Sequence, residues 1–139
     1  FSPLEAFAQG SFREIIDDST AESATTERVV FCSGKIYYEV LERKEKEAAN
    51  RLAVIRLEQL YPFPEKQFNA IRSKYAHVTD WVWLQEEPKN MGAWTYINGV
   101  VTDHPLRLIS RPASASPATG SHKTHQREQE ELLGRVFGF

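Results

Sequence analysis

The distribution of apolar residues predicts three buried β-strands separated by two amphipathic helices. Short apolar runs occupy residues 29–32, 52–57 and 78–84. Continuous apolar runs of this length are typical of strands that are covered on both faces of a sheet. Between them, residues 35–50 and 65–75 carry apolar side chains at helical spacing. Because strands and helices alternate, the pattern predicts a parallel sheet with right-handed crossovers.

The last third of the chain predicts two more helices and one more strand. Helical patterns cover residues 93–101 and 122–137, and a short apolar strand covers 106–110. We therefore expect a three-layer α/β domain, with helices on both faces of a mostly parallel, twisted sheet of four or five strands. The run at 29–32 is expected in the sheet interior, since it lacks the charge or proline that is usual in edge strands.

The first 27 residues differ in composition from the rest. Their apolar residues are expected to lie along the surface of the main domain or of an absent neighbour, namely Leu4, Phe7, Phe12, Ile15 and Ile16. Residues 17–27 form a polar tract rich in Ser, Thr, Asp and Glu. Such a tract favours a linker. We expect residues 1–27 to be an extension from a preceding domain and residues 28–139 to form the α/β domain. The chain begins with Phe rather than Met, so we also expect it to be a piece of a longer protein.

Composition excludes several classes of function. The net charge is −2, and no basic run is interleaved with aromatic residues, so a nucleic-acid partner is not expected. No apolar run has membrane-spanning length, so no membrane partner is expected. The single cysteine, Cys32, favours a reducing compartment and an inert packing role. The four histidines lack metal-ligand spacing, and no metal site is predicted.

The turn after the first predicted strand is the strongest candidate for a binding site. Ser33 and Gly34 separate the strand from the helix, Lys35 opens that helix, and Arg56 lies near the end of the next strand. In a parallel sheet these residues meet at the carboxyl edge, where a helix N-terminus favours anions. Ser33 is expected to cap the helix. The alternative is that Lys35 is solvated and that Arg56 pairs with a neighbouring carboxylate such as Glu58.

Four motifs in order give the chain a family resemblance. They are Cys-Ser-Gly-Lys-Ile-Tyr-Tyr (32–38), Arg-Leu-Glu-Gln-Leu-Tyr-Pro-Phe-Pro (56–64), Gln-Glu-Glu-Pro-Lys-Asn-Met-Gly-Ala-Trp (85–94) and Arg-Pro-Ala-Ser-Ala-Ser-Pro-Ala-Thr-Gly (111–120). With them, the chain resembles the C-terminal domain of the decarboxylating first component of 2-oxoglutarate dehydrogenase. The resemblance runs from about residue 12 to the end. The related 2-oxoadipate enzymes share part of the pattern.

The resemblance implies a division of labour within a larger enzyme of the citric acid cycle. It implies a fold like the C-terminal domain of transketolase. It implies that thiamine diphosphate and Mg²⁺ lie between two earlier domains from different subunits of a homodimer. The Gly-Asp-Gly signature that binds them is absent from this sequence, so the chain is expected to hold no cofactor and no catalytic residue. The dihydrolipoyl succinyltransferase component is the implied partner, in the bacterial cytoplasm or the mitochondrial matrix.

The resemblance also implies two roles for this domain. Trp94, Tyr96 and Ile97 match the subunit-contact region, although packing in the domain's own core is an equal alternative. The family's control by nucleotide-type effectors points to the same edge as the anion site of Ser33, Gly34, Lys35 and Arg56, and the resemblance implies an effector such as AMP or acetyl-CoA. A different class of function also stays open, namely a self-standing nucleotide- or anion-binding module of flavodoxin-like architecture.

Overall fold

The computed structural model describes residues 13–113 and 122–139. Within these ranges, five strands and four helices follow one another along the chain. They are β1 (Ile15–Ile16), β2 (Arg28–Cys32), α1 (Ile36–Glu47), β3 (Leu52–Leu57), α2 (Glu65–Lys74), β4 (Asp80–Pro88), α3 (Trp94–Val100), β5 (Arg107–Arg111) and α4 (His122–Phe137).

All five strands belong to one sheet in the order β1-β3-β2-β4-β5. β2, β3, β4 and β5 run parallel to one another, and β1 pairs with the outer side of β3 in the antiparallel direction. β2 lies at the centre, where Val30 is aligned with Val54 of β3 and Val82 of β4. The prediction of a mostly parallel sheet with β2 in its interior is therefore confirmed.

Alternation of side chains along the strands divides the core into two layers. Val29 and Phe31 face one side of the sheet, where α2 and α3 pack. Val30 and Cys32 face the other side, where α1 and α4 pack. Every residue of β2 is buried, which explains why residues 29–32 are apolar; the buried Arg28 at its start pairs with Asp80. Helices on both faces give the three-layer architecture that the pattern predicts.

The segment before β2 packs on the sheet, which corrects part of the linker prediction. Ile15 is 8% exposed and belongs to the core, and Asp18 is 3% exposed. The carboxylate of Asp18 lies 2.6 Å from the ammonium of Lys44 on α1. A strand of two residues is too short to show the alternation of side chains by which strands are recognised in a sequence. The sequence also does not distinguish a buried aspartate from an exposed one, because the partner of the buried residue is distant along the chain. The segment predicted as a linker, residues 17–27, therefore begins with residues that pack against the sheet.

The ends of two elements differ from the predictions for local reasons. α1 ends at Glu47 because Ala48 adopts a left-handed conformation, with φ of 48°. β4 continues past Leu84 to Pro88 through an irregularity in its pairing with β5. In the part of the chain that the structure describes, no helix has the length and apolar character needed to cross a membrane.

Candidate anion site at the carboxyl edge of the sheet

The turn between β2 and α1 is tight and open to solvent. Gly34 has a φ of +76°, which favours glycine, and a Cβ added there would meet nothing within 4 Å. Lys35 is exposed and occupies the N-cap position of α1, and no side chain caps this end by a hydrogen bond. The predicted cap by Ser33 is therefore wrong. The helix begins one residue later than expected, so Ser33 lies two residues before the N-cap position.

Arg56 lies beside this turn because Cys32 is its partner in the sheet register. Its Nη1 donates a hydrogen bond to the hydroxyl of Tyr38 at 2.6 Å. Its Nε lies 3.0 Å from a carboxylate oxygen of Glu58, yet this buried atom has no well-directed hydrogen bond among the described residues. The guanidinium also lies 5.2 Å and 5.0 Å from the ring centroids of Tyr37 and Tyr38.

The structure thus brings the predicted residues to one edge and also gives Arg56 a partner of its own. The ion pair with Glu58 is the alternative that the sequence left open, and it is present. The side chain of Arg56 is 14% exposed, so an incoming anion would meet a largely desolvated guanidinium. Such an anion would have to compete with Glu58 for it.

Cys32 takes no part in chemistry at this edge. Its side chain is completely buried, and burial raises the pKa of the thiol to about 12 although the positive charge of Arg56 acts in the opposite direction. The thiol therefore stays protonated near neutral pH, in agreement with the predicted packing role.

The residues predicted to contact another subunit have unequal exposure. Ile97 is 1% exposed within the core layer formed with α2 and α3. Trp94 and Tyr96 are half-buried at the border of the same cluster. Ile97 points into the core because it lies one turn after Ala93 on the inner face of α3, so its assignment to a contact surface is corrected. Trp94 and Tyr96 stay predicted contacts.

Gln85 organises the turn that precedes α3. Its Oε1 accepts hydrogen bonds from Trp83 Nε1 at 2.9 Å and from the backbone N–H of Trp94 at 3.0 Å. Its Nε2 donates to the carbonyls of Pro88 and Met91 at 2.9 and 2.8 Å. Gln85 is 3% exposed. Its buried amide oxygen and nitrogen therefore both have hydrogen-bond partners, and the same bonds satisfy backbone groups of the turn.

A second polar cluster, around Arg111 at the end of β5, was missed by sequence reasoning. Arg111 is 8% exposed, and its Nη2 lies 3.0 Å from His125 Nδ1 and 3.2 Å from Gln129 Oε1. Gln129 in turn donates to carboxylates of Glu39 and Glu86 at 2.7 and 3.0 Å. The only available signal was the spacing of His125 and Gln129, one turn apart on α4, which does not identify a partner.

No cluster of three or more His, Cys, Asp or Glu side chains that could hold a metal ion occurs within residues 13–113 and 122–139.

The fold and the candidate site define the chain as an α/β domain with a mostly parallel sheet and with Lys35 and Arg56 at its carboxyl edge. It matches the family described as 2-oxoglutarate dehydrogenase C-terminal over residues 1–137. It is 42% identical over 142 residues to the 2-oxoglutarate dehydrogenase E1 component of Cupriavidus necator, which covers 98% of this chain. It is 39% identical over 144 residues to the enzyme of the same name from Haemophilus influenzae, which covers 99% of this chain.

A mammalian relative has a different name. The 2-oxoadipate dehydrogenase complex component E1 of Mus musculus is 39% identical over 142 residues and covers 98% of this chain. The chain spans about 15% of the length of each of these three relatives. The chain belongs to the 2-oxoglutarate dehydrogenase C-terminal family, as the four motifs predict.

Proposed function

We propose that this chain serves as the non-catalytic C-terminal domain of the decarboxylating first component of a 2-oxoglutarate dehydrogenase. The observation that carries the proposal is the family match along residues 1–137, together with relatives of that name that are more than six times as long. In this proposal the rest of the enzyme binds thiamine diphosphate and Mg²⁺, and the present chain carries neither the cofactor nor a catalytic residue. No comparison favours a self-standing nucleotide-binding module.

The proposal gives this domain a contact role and a regulatory role. Trp94 and Tyr96 contribute to contacts between the subunits of a homodimer, and the complex includes the dihydrolipoyl succinyltransferase component. Ser33, Gly34, Lys35 and Arg56 receive the phosphate of a nucleotide-type effector. What supports this site is the exposed Lys35, the open space beside Gly34 and the largely desolvated guanidinium of Arg56, which can form charge-assisted hydrogen bonds to an anion that displaces Glu58. Relatives from bacteria and mammals lead us to place the enzyme in bacterial cytoplasm or mitochondrial matrix.

The test uses the full-length enzyme with Arg56→Ala. Turnover of 2-oxoglutarate is measured with and without AMP or acetyl-CoA. We expect the effector concentration at half response to rise by about tenfold or more, since a charge-assisted hydrogen bond contributes about 1.5–3 kcal/mol. The matched control is Arg51→Ala, which removes an exposed arginine just before the same strand at the opposite edge and should leave the response unchanged.

Two results would contradict parts of the proposal separately. An unchanged response in Arg56→Ala would remove the effector site and leave the domain assignment intact. A full-length enzyme that turns over 2-oxoadipate and not 2-oxoglutarate would instead move the assignment to the 2-oxoadipate enzymes. Basal turnover, measured for each variant in the same assay, separates a lost response from a misfolded domain.

A further inference from the structure

β5 is an edge strand whose outer side has no neighbouring strand in the described part of the chain. The backbone carbonyl of Arg111 accepts a hydrogen bond from the N–H of Lys89, which follows β4. Backbone groups of alternate residues point to opposite sides of a strand. Leu108 and Ser110 therefore direct their N–H and carbonyl groups outward. The Ser110 carbonyl accepts a hydrogen bond at 2.7 Å from the exposed Arg135 of α4, which agrees with this orientation.

A groove of 810 Å³ runs between this outer edge and α4. Leu108 and Ser110 line it from the strand side. Its charged walls comprise four cations and two carboxylates, namely Lys89, Arg111, Arg127, Arg135, Glu128 and Glu131. Lys89, Arg127 and Arg135 are exposed, and Lys89 and Arg127 have no acidic partner within ion-pair distance among the described residues. The groove therefore combines open backbone groups with an excess of positive charge.

We propose that this groove binds an extended acidic segment of another protein, which adds a sixth strand beside β5. Main-chain hydrogen bonds to Leu108 and Ser110 would hold the segment in register. Acidic side chains on the segment would pair with Lys89, Arg127 and Arg135, and Arg135 would exchange the Ser110 carbonyl for a carboxylate. This interaction is separate from the effector site at the turn between β2 and α1.

A second copy of this chain fits the groove poorly. Pairing of two β5 edges would bring the same three cations of each copy against one another, and like charges at facing positions of a sheet are destabilising. Charge on an edge strand commonly prevents a protein from pairing with itself. Here the same charge selects an acidic strand.

The test measures binding of a fluorescein-labelled peptide that alternates threonine with glutamate to the 139-residue chain by fluorescence anisotropy. We expect saturable binding that weakens as salt is raised, and much weaker binding of a peptide that alternates threonine with lysine. The double variant Arg127→Glu/Arg135→Glu should weaken binding by about tenfold or more, because two ion pairs become repulsive contacts. The matched control Lys46→Glu/Lys66→Glu makes the same charge change at exposed positions on α1 and α2 and should bind like the parent chain.

Strand pairing is tested separately from charge. N-methylation of one alternate set of peptide amides should abolish binding, and methylation of the other set should not, since only one set faces β5. The proposal is overturned if the acidic peptide does not bind saturably, if the lysine peptide binds equally well, or if neither methylated set loses binding. It is also overturned if the chain dimerises and Arg127→Glu/Arg135→Glu abolishes the dimer. Circular dichroism of each variant verifies that it is folded.

Discussion

The ion pair between Asp18 and Lys44 predicts a large loss of stability when it is broken. Asp18 is 3% and Lys44 is 6% exposed, and Lys44 Nζ lies 2.6 Å from Asp18 Oδ2. The same carboxylate accepts the backbone N–H of Val54 at 2.9 Å. It also accepts the N–H and the hydroxyl of Thr20 at 2.9 and 2.6 Å. One side chain thus joins the N-terminal segment to α1 and β3.

The variant Asp18→Asn keeps the shape of the side chain and removes its charge. The ammonium of Lys44 then stays buried without an anionic partner, because only the neutral amide oxygen that replaces Asp18 Oδ2 and the hydroxyl of Thr20 at 3.0 Å accept from it. Removal of one partner from a buried ion pair destabilises a protein by about 3–5 kcal/mol. Because Asn retains an acceptor for Val54, we expect a loss near the lower end, about 3 kcal/mol. This is a large fraction of the roughly 5–15 kcal/mol that stabilises a typical domain.

Urea unfolding followed by tryptophan fluorescence measures this loss. With a denaturant dependence of about 1–3 kcal/mol per molar, the midpoint should fall by about 1–3 M. The double variant Asp18→Asn/Lys44→Met should be more stable than Asp18→Asn alone, because the uncompensated charge is gone. Glu27→Gln, which breaks the exposed pair with Arg51, is the control and should change little. A loss below about 1 kcal/mol in Asp18→Asn, or a double variant no more stable than the single one, would refute the reasoning.

The same carboxylate predicts a dependence on pH. Burial raises the pKa of Asp18, but hydrogen bonds from Lys44, Thr20 and the N–H of Val54 outweigh burial and hold the pKa below its ordinary value. A carboxyl group with a lowered pKa in the folded state stabilises the fold fully when the pH is above its unfolded-state pKa of about 4. This stabilisation is lost as the pH falls through the folded-state pKa. Asp18→Asn should therefore lose less stability than the parent chain on acidification.

Two further predictions concern single positions. Gly92→Ala should destabilise the chain by about 1–3 kcal/mol in thermal melting, because Gly92 has a φ of +69° and an added Cβ would lie 3.0 Å from Glu87 Oε1. The control Gly99→Ala should not destabilise the chain, because an added Cβ there would meet open space. The ring of His104 packs edge-on against the ring of Trp81, with 4.4 Å between the ring centroids. Burial lowers the pKa of His104 most, the charge of Arg72 lowers it further, and the charge of Asp103 acts in the opposite direction. Stability should therefore fall as the pH drops below about 6.5, and a pH series of urea midpoints should show a smaller fall for His104→Gln.

Hydrophobic pattern was sufficient to predict the elements that form the core except β1, whose Ile15 also belongs to it. β2 and β3 were readable because both faces of each are covered, so that nearly every residue in them is apolar. Interior placement of β2 followed from the same property. β1 could not be predicted, because two residues are too few to show the alternation of a strand and because its position depends on pairing with β3.

Side-chain partners that are distant in sequence could not be predicted. Gln129 joins α4 to Glu39 of α1, 90 residues away, and to Glu86 of β4, 43 residues away. The local sequence around each residue is compatible with an ordinary solvated helix face. Ser33 failed as a cap because α1 begins at Ile36, two residues later than a cap at Ser33 requires, and the sequence pattern does not fix a helix start that closely.

Motif length and chemical function are separate properties in this domain. The longest of the four family motifs that lies wholly within the described part, residues 85–94, is explained by the buried amide of Gln85 and the left-handed Gly92, which together close the turn before α3. A motif of this kind identifies the fold because few residues satisfy its geometry, and it needs no ligand to account for it. By contrast, Lys35 and Arg127 are exposed and have no ion-pair partner among the described residues. In this chain such a cation is evidence for a binding site only where open space adjoins it, as Lys35 lies beside the open turn at Gly34 and Arg127 lines the groove beside β5.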